Sequence, residues 1–259
     1  MQSQIHEGYE YQDYFTVSIM LQLMLKQTDA EITIDRKNFN GDKFDDLKVI
    51  TLNGITEFQI KYSDAETSHE LTKDDFANGN GHDTALSDLF LSWKENKKSE
   101  MDTQIKLCLA WDRPTEEQIV KFLKPAQDHS LPFSAVAFSV DGSLFWPEGE
   151  LPPKTWRKFN SAIKSGLINR EDFLSFCTEL TIFLEMPKAS LDLKNPGAME
   201  NVIIKQTEKL GVGIYPNNNL TVEDVIYKLA AEVKHSRAMG NRLNSNILIG
   251  RLGLIMDYG

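Results

Sequence analysis

Apolar and polar positions change period several times along the chain, and each change marks an element. From Gly8 onward, Tyr11, Tyr14, Phe15, Ile19, Leu21, Met24 and Leu25 predict a broad apolar helix within the first 27 residues, ended by Thr28-Asp29-Ala30. EITID (31–35) then alternates, with Ile32 and Ile34 on one face and Glu31, Thr33 and Asp35 on the other, as a half-buried strand does. After the polar connection RKNFNGDKF, the segments DDLKVITL (45–52) and ITEFQIKY (55–62) flank Asn53-Gly54. That dipeptide accepts the positive φ angles of a tight turn, so the two segments predict a β-hairpin.

Residues 63–104 are polar and read as mostly helical, with NGNG (78–81) as a flexible interruption. IKLCLAW (105–111) predicts a buried strand, and TEEQ, in the form of a capping box, starts a helix running from Thr115 to about Lys124. FSAVAFSV (133–140) predicts another strand, Pro147, Pro152 and Pro153 an exposed loop, and FLSFCTELTIFLEM (173–186) a helix and then a strand. The remainder reads as helical, broken at Pro196 and at PNNN (216–219). The sum is a mixed α/β sandwich with an antiparallel start. Its expected division is a core over residues 1–190 and a mainly helical extension over 191–259, with no internal repeat.

Composition narrows the class. With 259 residues, 41% of them hydrophobic, the chain can bury a core without cross-links. Cys108 and Cys177 lie in apolar runs and read as reduced core residues. The start, MQSQIHEGYE, has neither the basic nor the apolar region of a signal peptide, and no apolar run reaches the roughly 18 residues of a membrane span. The expected setting is the cytoplasm, away from membranes. The net charge of −10, from 28 basic and 38 acidic residues, counts against an extended nucleic-acid-binding face while leaving room for a local basic cleft.

The hairpin carries the candidate chemistry. A two-residue Asn53-Gly54 loop pairs Leu52 with Ile55; Val49 then faces Phe58 and Leu47 faces Ile60 on a buried face, and Lys48 faces Gln59 and Asp46 faces Lys61 on a polar face. Directly opposed Cβ atoms lie about 4.5–5.5 Å apart. Asp46, Gln59 and Lys61 then form one cluster, with Asp35 available from the preceding strand. A carboxylate offers the hard oxygen that Mg²⁺ prefers, and a lysine beside it orients an attacking water or offsets charge growing on a phosphate. On spacing alone, an Asp–Lys pair across a hairpin is more often a solvated ion pair contributing about 0–1 kcal/mol.

The order GYEYQ (8–12), ITID (32–35), FDDLKV (44–49) and FQIKY (58–62) resembles the Mrr-like PD-(D/E)xK nucleases. More closely, it resembles the double-stranded DNA endonucleases that serve as effectors of CBASS and stand at the N-terminus of antiviral STAND ATPases. The match covers about residues 8–62, and FLSFCTELTIFLEMP resembles the family less specifically. The resemblance implies a restriction-endonuclease-like mixed sheet flanked by helices, with Mg²⁺ (or Mn²⁺) as cofactor and double-stranded DNA as substrate. It implies Asp46 as a metal ligand, Gln59 at the Glu/Gln position and Lys61 as the catalytic lysine. Asp35, Asp45, Gln59 and the Ile60 carbonyl complete the implied ligand set, and Gln12 stands at the helix-one glutamine. Asp35 departs from the glutamate common at its position, and Asp45 either ligates, caps or adds local negative charge.

Other motifs add less. His6, His69, His82, His129 and His235 are scattered without i, i+4 pairing or cysteine partners, which speaks against a zinc site. No P-loop motif is present. NGNGHD (78–83) fits a mobile loop better than a phosphate cradle, and WKENKK (93–98) and WRK (156–158) fit ordinary solvated helix faces better than DNA contacts. Trp111, Trp146 and the phenylalanines read as core. The apolar end, NILIGRLGLIMDYG, suggests a following or associated sensor or ATPase module, and cutting both strands calls for a dimer or larger homo-oligomer. The rival readings are a free-standing Mrr-like restriction enzyme and a catalytically silent nuclease fold used for DNA binding or assembly.

Overall fold

The computed structural model describes residues 2–62, 69–79, 81–97, 102–146 and 156–256. The loop expected at Pro147, Pro152 and Pro153, with Asn80 and Lys98 from the motifs above, lies outside the described residues. The architecture is mixed α/β: one eight-stranded mixed sheet flanked by helices.

The long helix α1 (Gln2–Leu25) comes first, followed by β1 (Glu31–Ile34), β2 (Leu47–Thr51) and β3 (Gly54–Lys61). Helices α2 (Lys73–Asn78) and α3 (Leu86–Asn96) lead into β4 (Thr103–Leu109). A short turn α4 (Glu117–Val120), β5 (Leu123–Pro125), β6 (Val136–Val140), the turn α5 (Gly142–Phe145), α6 (Arg157–Lys164), α7 (Arg170–Glu179) and β7 (Leu180–Leu184) follow. The chain then runs through α8 (Ala198–Lys209), α9 (Val222–Met239), β8 (Leu243–Asn244) and α10 (Ser245–Leu252). Strand order is β5-β6-β7-β4-β3-β2-β1-β8. Among the strand pairs of the described residues, β3–β4 and β4–β7 are parallel and the others antiparallel.

Strand alternation sets two cores. Leu47, Val49, Phe58, Ile60 and Cys108 face α1, α8, α9 and α10, where Phe15, Ile203, Leu229 and Leu248 complete one cluster. Ile105, Leu107, Leu109 and Ile182 face α2, α3, α6 and α7, where Phe76, Phe90, Phe159 and Phe173 complete the other. Each buried large apolar side chain contributes about 1.5–3 kcal/mol by leaving water, so the alternation is strongly enforced. Residues after 190 share the first core with α1 and supply the edge strand β8, whose Leu243 pairs with Ile32. Cys108 and Cys177 are free and buried, with both thiols pushed up by burial. Among the described residues, no helix is long and apolar enough to cross a membrane.

Three expectations change. The hairpin turn is Leu52-Asn53, because Gly54 already pairs with Thr51. The reason is β4: Ile55 N donates to Asp102 O at 2.8 Å, and a Cβ on Gly54, with φ +144°, would stand 2.6 Å from that same oxygen. The glycine therefore sits in the ladder, where only it fits, and the pairing slips by two. Leu47 faces Phe58 and Lys48 faces Glu57. The slip is even, so every side chain keeps its face while its partner changes. The helix expected over Thr115–Lys124 shrinks to one turn and is followed by β5. Thr115 gives its N–H and hydroxyl to the Glu70 carboxylate, at 2.6 and 2.7 Å, so no capping box forms there.

Candidate functional site

Strand β2 begins only at Leu47, opposite Phe58, whereas β3 runs on to Lys61. The last residues of β3 therefore overhang their neighbour, and the backbone of Ile60 on that side needs another partner. Asp46 supplies it. Its Oδ2 accepts from Ile60 N at 2.6 Å and from Gln59 Nε2 at 2.7 Å. On its other side the Asp46 carbonyl accepts from Asp35 N at 3.2 Å, so the residue just after β1 stands beside the one just before β2. Asp35 has φ +49°, a left-handed conformation that short polar side chains tolerate at a cost of order 1–3 kcal/mol. Arg36 N donates to Asp45 O at 3.1 Å, which holds the next residue of the acidic pair in place.

A cleft of about 360 Å³ opens over this overhang, lined by Gln12, Asp35, Asp45, Asp46, Gln59 and Lys61. Every side chain singled out from the sequence is thus present in one cleft. Asp46 and Lys61 are not direct cross-strand partners as the expected register had them; the two-residue slip sets Gln59 against Asp46. Lys61 still acts on Asp46 electrostatically and favours its charged form. Gln12 reaches the same edge from α1, its Nε2 being 3.5 Å from the Ile60 carbonyl.

Burial dominates the electrostatics. Desolvation pushes the Asp46 carboxyl up to about 6, against the opposing pull of Lys61 and Ile60 N, and neighbouring Asp45 and Asp35 add to the rise. Desolvation likewise raises Asp45, whose carboxylate lies 3.7 Å from Lys37 Nζ. The Gln59 Oε1 atom is buried without a hydrogen-bond partner. Three crowded carboxylates and an orphaned amide oxygen form a hard-oxygen donor set, and a small divalent cation would relieve both the repulsion and the unmet acceptor.

Sequence reasoning missed several residues of the cleft. Tyr9, Lys37, Asp42, Lys43 and Asp83 line it too. Asp42 is buried and holds the connection in shape, accepting from Phe44 N, Ser92 Oγ and Asn96 Nδ2. Lys43 reaches Asp83 at 2.6 Å. No periodicity reports such contacts, since Asp83 comes from a segment 40 residues away.

Arg237 of α9 ties the C-terminal helices to the same region. Its guanidinium lies 2.7 Å from buried Asp13 and 3.9 Å from Asp35. The basic motifs set aside in the sequence are tied down elsewhere: Lys94 to Asp172, Lys97 to Glu179 and Lys158 to Asp88. Trp93 and Trp156 are core residues.

Comparison with protein-family models and with curated proteins returns no match to this chain.

Proposed function

We propose that the chain is a divalent-metal-dependent endonuclease hydrolysing phosphodiester bonds in double-stranded DNA. The observation that carries this reading is the overhang of β3, which gathers Asp46, Gln59, Lys61, Asp45 and Asp35 in one cleft. A restriction-endonuclease-like core is proposed with it. The order β1-β2-β3-β4, antiparallel and then parallel, with helices on both faces, agrees with that fold.

Asp46 would hold Mg²⁺, together with Asp45, Asp35 or the Gln59 and Ile60 oxygens. Bound there, the ion supplies Lewis-acid charge and a water acidified toward neutral pH. The chain's own residues do the rest. Lys61 orients the attacking water and offsets negative charge on the phosphate. Gln59 and Ile60 N fix the Asp46 carboxylate through Oδ2, and Gln12 steadies the Ile60 edge. Lys37 and Lys43 also line the cleft, beside Asp45 and Asp83, and would become available to phosphate oxygens once a cation neutralises the carboxylates.

The sequence resemblance extends the proposal to an effector of antiphage defence, acting as a homo-oligomer because one cleft cuts one strand. The test is plasmid cleavage with Mg²⁺ by wild type, Lys61→Ala and Asp46→Asn. Cleavage by wild type alone supports the centre. Equal cutting by all three proteins eliminates it.

A further inference from the structure

Two of the scattered histidines come together beside the cleft. His69, Asp75 and His82 each offer a ligand atom, and the three atoms lie within 4.8 Å of one another. Each is placed by a different local device. His69 is pinned through its carbonyl, which accepts from Asp112 N at 2.8 Å just after the buried Trp111. Asp75 is the third residue of α2, fixed by a reciprocal capping box with Thr72. His82 follows the left-handed Gly79 that ends α2, its N–H donating to Gly79 O at 2.6 Å. Both imidazoles pack edge-on against Trp111, with centroids 4.4 and 5.2 Å away.

The Asp75 carboxylate is the deciding feature. It is wholly buried, and Thr72 N, Thr72 Oγ1 and His69 Nε2 all bond to Oδ2, at 2.8, 2.7 and 3.0 Å. Oδ1 is buried with no partner. A His–Asp pair alone accounts for one oxygen and leaves the other, a buried charged acceptor, without a partner, which disfavours the folded state. A cation at Oδ1 removes that cost.

We propose that His69, Asp75 and His82 form a site for a borderline transition-metal ion of the Zn²⁺ class, separate from the Asp46 centre. Two imidazoles and one carboxylate, with a fourth position for solvent, suit Zn²⁺ rather than Mg²⁺, which favours oxygen donors. Desolvation and the nearby His69 hold the His82 imidazole below its ordinary value. Tetrahedral zinc bonds of about 2.0–2.1 Å set ligand atoms roughly 3.3 Å apart. Loading therefore draws the ligand atoms, now within 4.8 Å of one another, closer together. The site adjoins the cleft through Asp83, the residue after His82, which lines it. The inference does not depend on the nuclease reading.

The full chain, stripped with chelator, is titrated with Zn²⁺ and with Co²⁺ as a spectroscopic surrogate, alongside His82→Gln, Asp75→Asn and Asp46→Asn. One tight equivalent of Zn²⁺ that persists in Asp46→Asn, together with visible ligand-field bands of four- or five-coordinate Co²⁺ in both proteins, is expected. In His82→Gln the Zn²⁺ Kd rises by at least about 100-fold, since even groups that merely support a ligand contribute about 10–100-fold. Circular dichroism checks that the variants fold, and the wild-type Co²⁺ spectrum stands whether or not they do. Absence of Zn²⁺ binding by wild type, or loss of it in Asp46→Asn with retention in folded His82→Gln, overturns the proposal.

Discussion

The Asp46 carboxylate stands where a neighbouring strand would otherwise stand beside Ile60, with Oδ2 2.6 Å from Ile60 N. One side chain therefore ends a sheet ladder and sets a carboxylate in the wall of the cleft. Gln59 reinforces the arrangement from the same strand, at 2.7 Å.

Removing the amine at this edge tests the chemistry. Lys61→Ala is expected to lower Mg²⁺-dependent plasmid cleavage by about 100-fold or more, the scale on which a single charge-stabilising donor acts. Its melting temperature should stay close to wild type, because Lys61 is only partly buried and, among the described residues, forms no ion pair. Undiminished cleavage would exclude the role given to Lys61.

Asp46 couples stability to pH with a definite sign. Its carboxyl rises from an ordinary 3.8 to about 6 in the folded chain, so across that window the native state binds more protons than the unfolded state. Stability of the metal-free protein then falls as pH rises from about 4 to about 6 and is flat in this respect above it. Asp46→Asn should make the metal-free chain more stable at pH 7.5 by about 1–3 kcal/mol, a gain that vanishes below about pH 4. Urea unfolding across the range measures it; a neutral-pH loss of stability in Asp46→Asn contradicts the account.

Charging the amide gives the opposite test. Gln59→Glu replaces a donor to Asp46 Oδ2 with a second carboxylate at the same buried position. The metal-free variant should lose about 1–3 kcal/mol at neutral pH, the scale of an unmet buried polar group. Millimolar Mg²⁺ should restore more stability to it than to wild type, through mass action on the folded state. Thermal shifts with and without Mg²⁺ read the difference, and identical shifts would remove the ion from this cleft.

Arg237 is expected to matter for folding before it matters for cleavage. Arg237→Ala leaves Asp13, 2% exposed, without its cation. The loss should approach about 3 kcal/mol, at the lower end for breaking a buried pair because the guanidinium retains some solvent. Asp13→Asn in the same background should recover part of it, and a double-mutant cycle measures the coupling.

Much of the framework was legible because long periodic segments report burial directly. The alternation in EITID, DDLKV and ITEFQIK placed Leu47, Val49, Phe58 and Ile60 on one face, and the structure keeps them there. The register was not legible, since it is set by the approach of Asp102 to Gly54, which local turn preference does not contain. Strands β5 and β8 span three and two residues, too short for any period, and exist because a neighbour offers an edge. In the candidate site, Asp35, Asp45, Asp46, Gln59 and Lys61 stood within 27 residues of sequence and were found together. The meeting of His69 with His82 depends on the turn after α2 and on the packing of both rings against Trp111, so spacing alone spoke against it.

The edge strand β8 and the helix before it have a practical corollary for dissecting the molecule. Ser245 Oγ, just after β8, receives the Ala30 N–H at 3.0 Å, while Arg237 spans from Asp13 to Asp35. A cut after residue 190 would bare the apolar side of α1, leave Asp13 stranded and free the rim of β1 to recruit another chain. The smallest transplantable unit bearing this cleft therefore runs to α10, and shorter fragments should be insoluble before they are inactive.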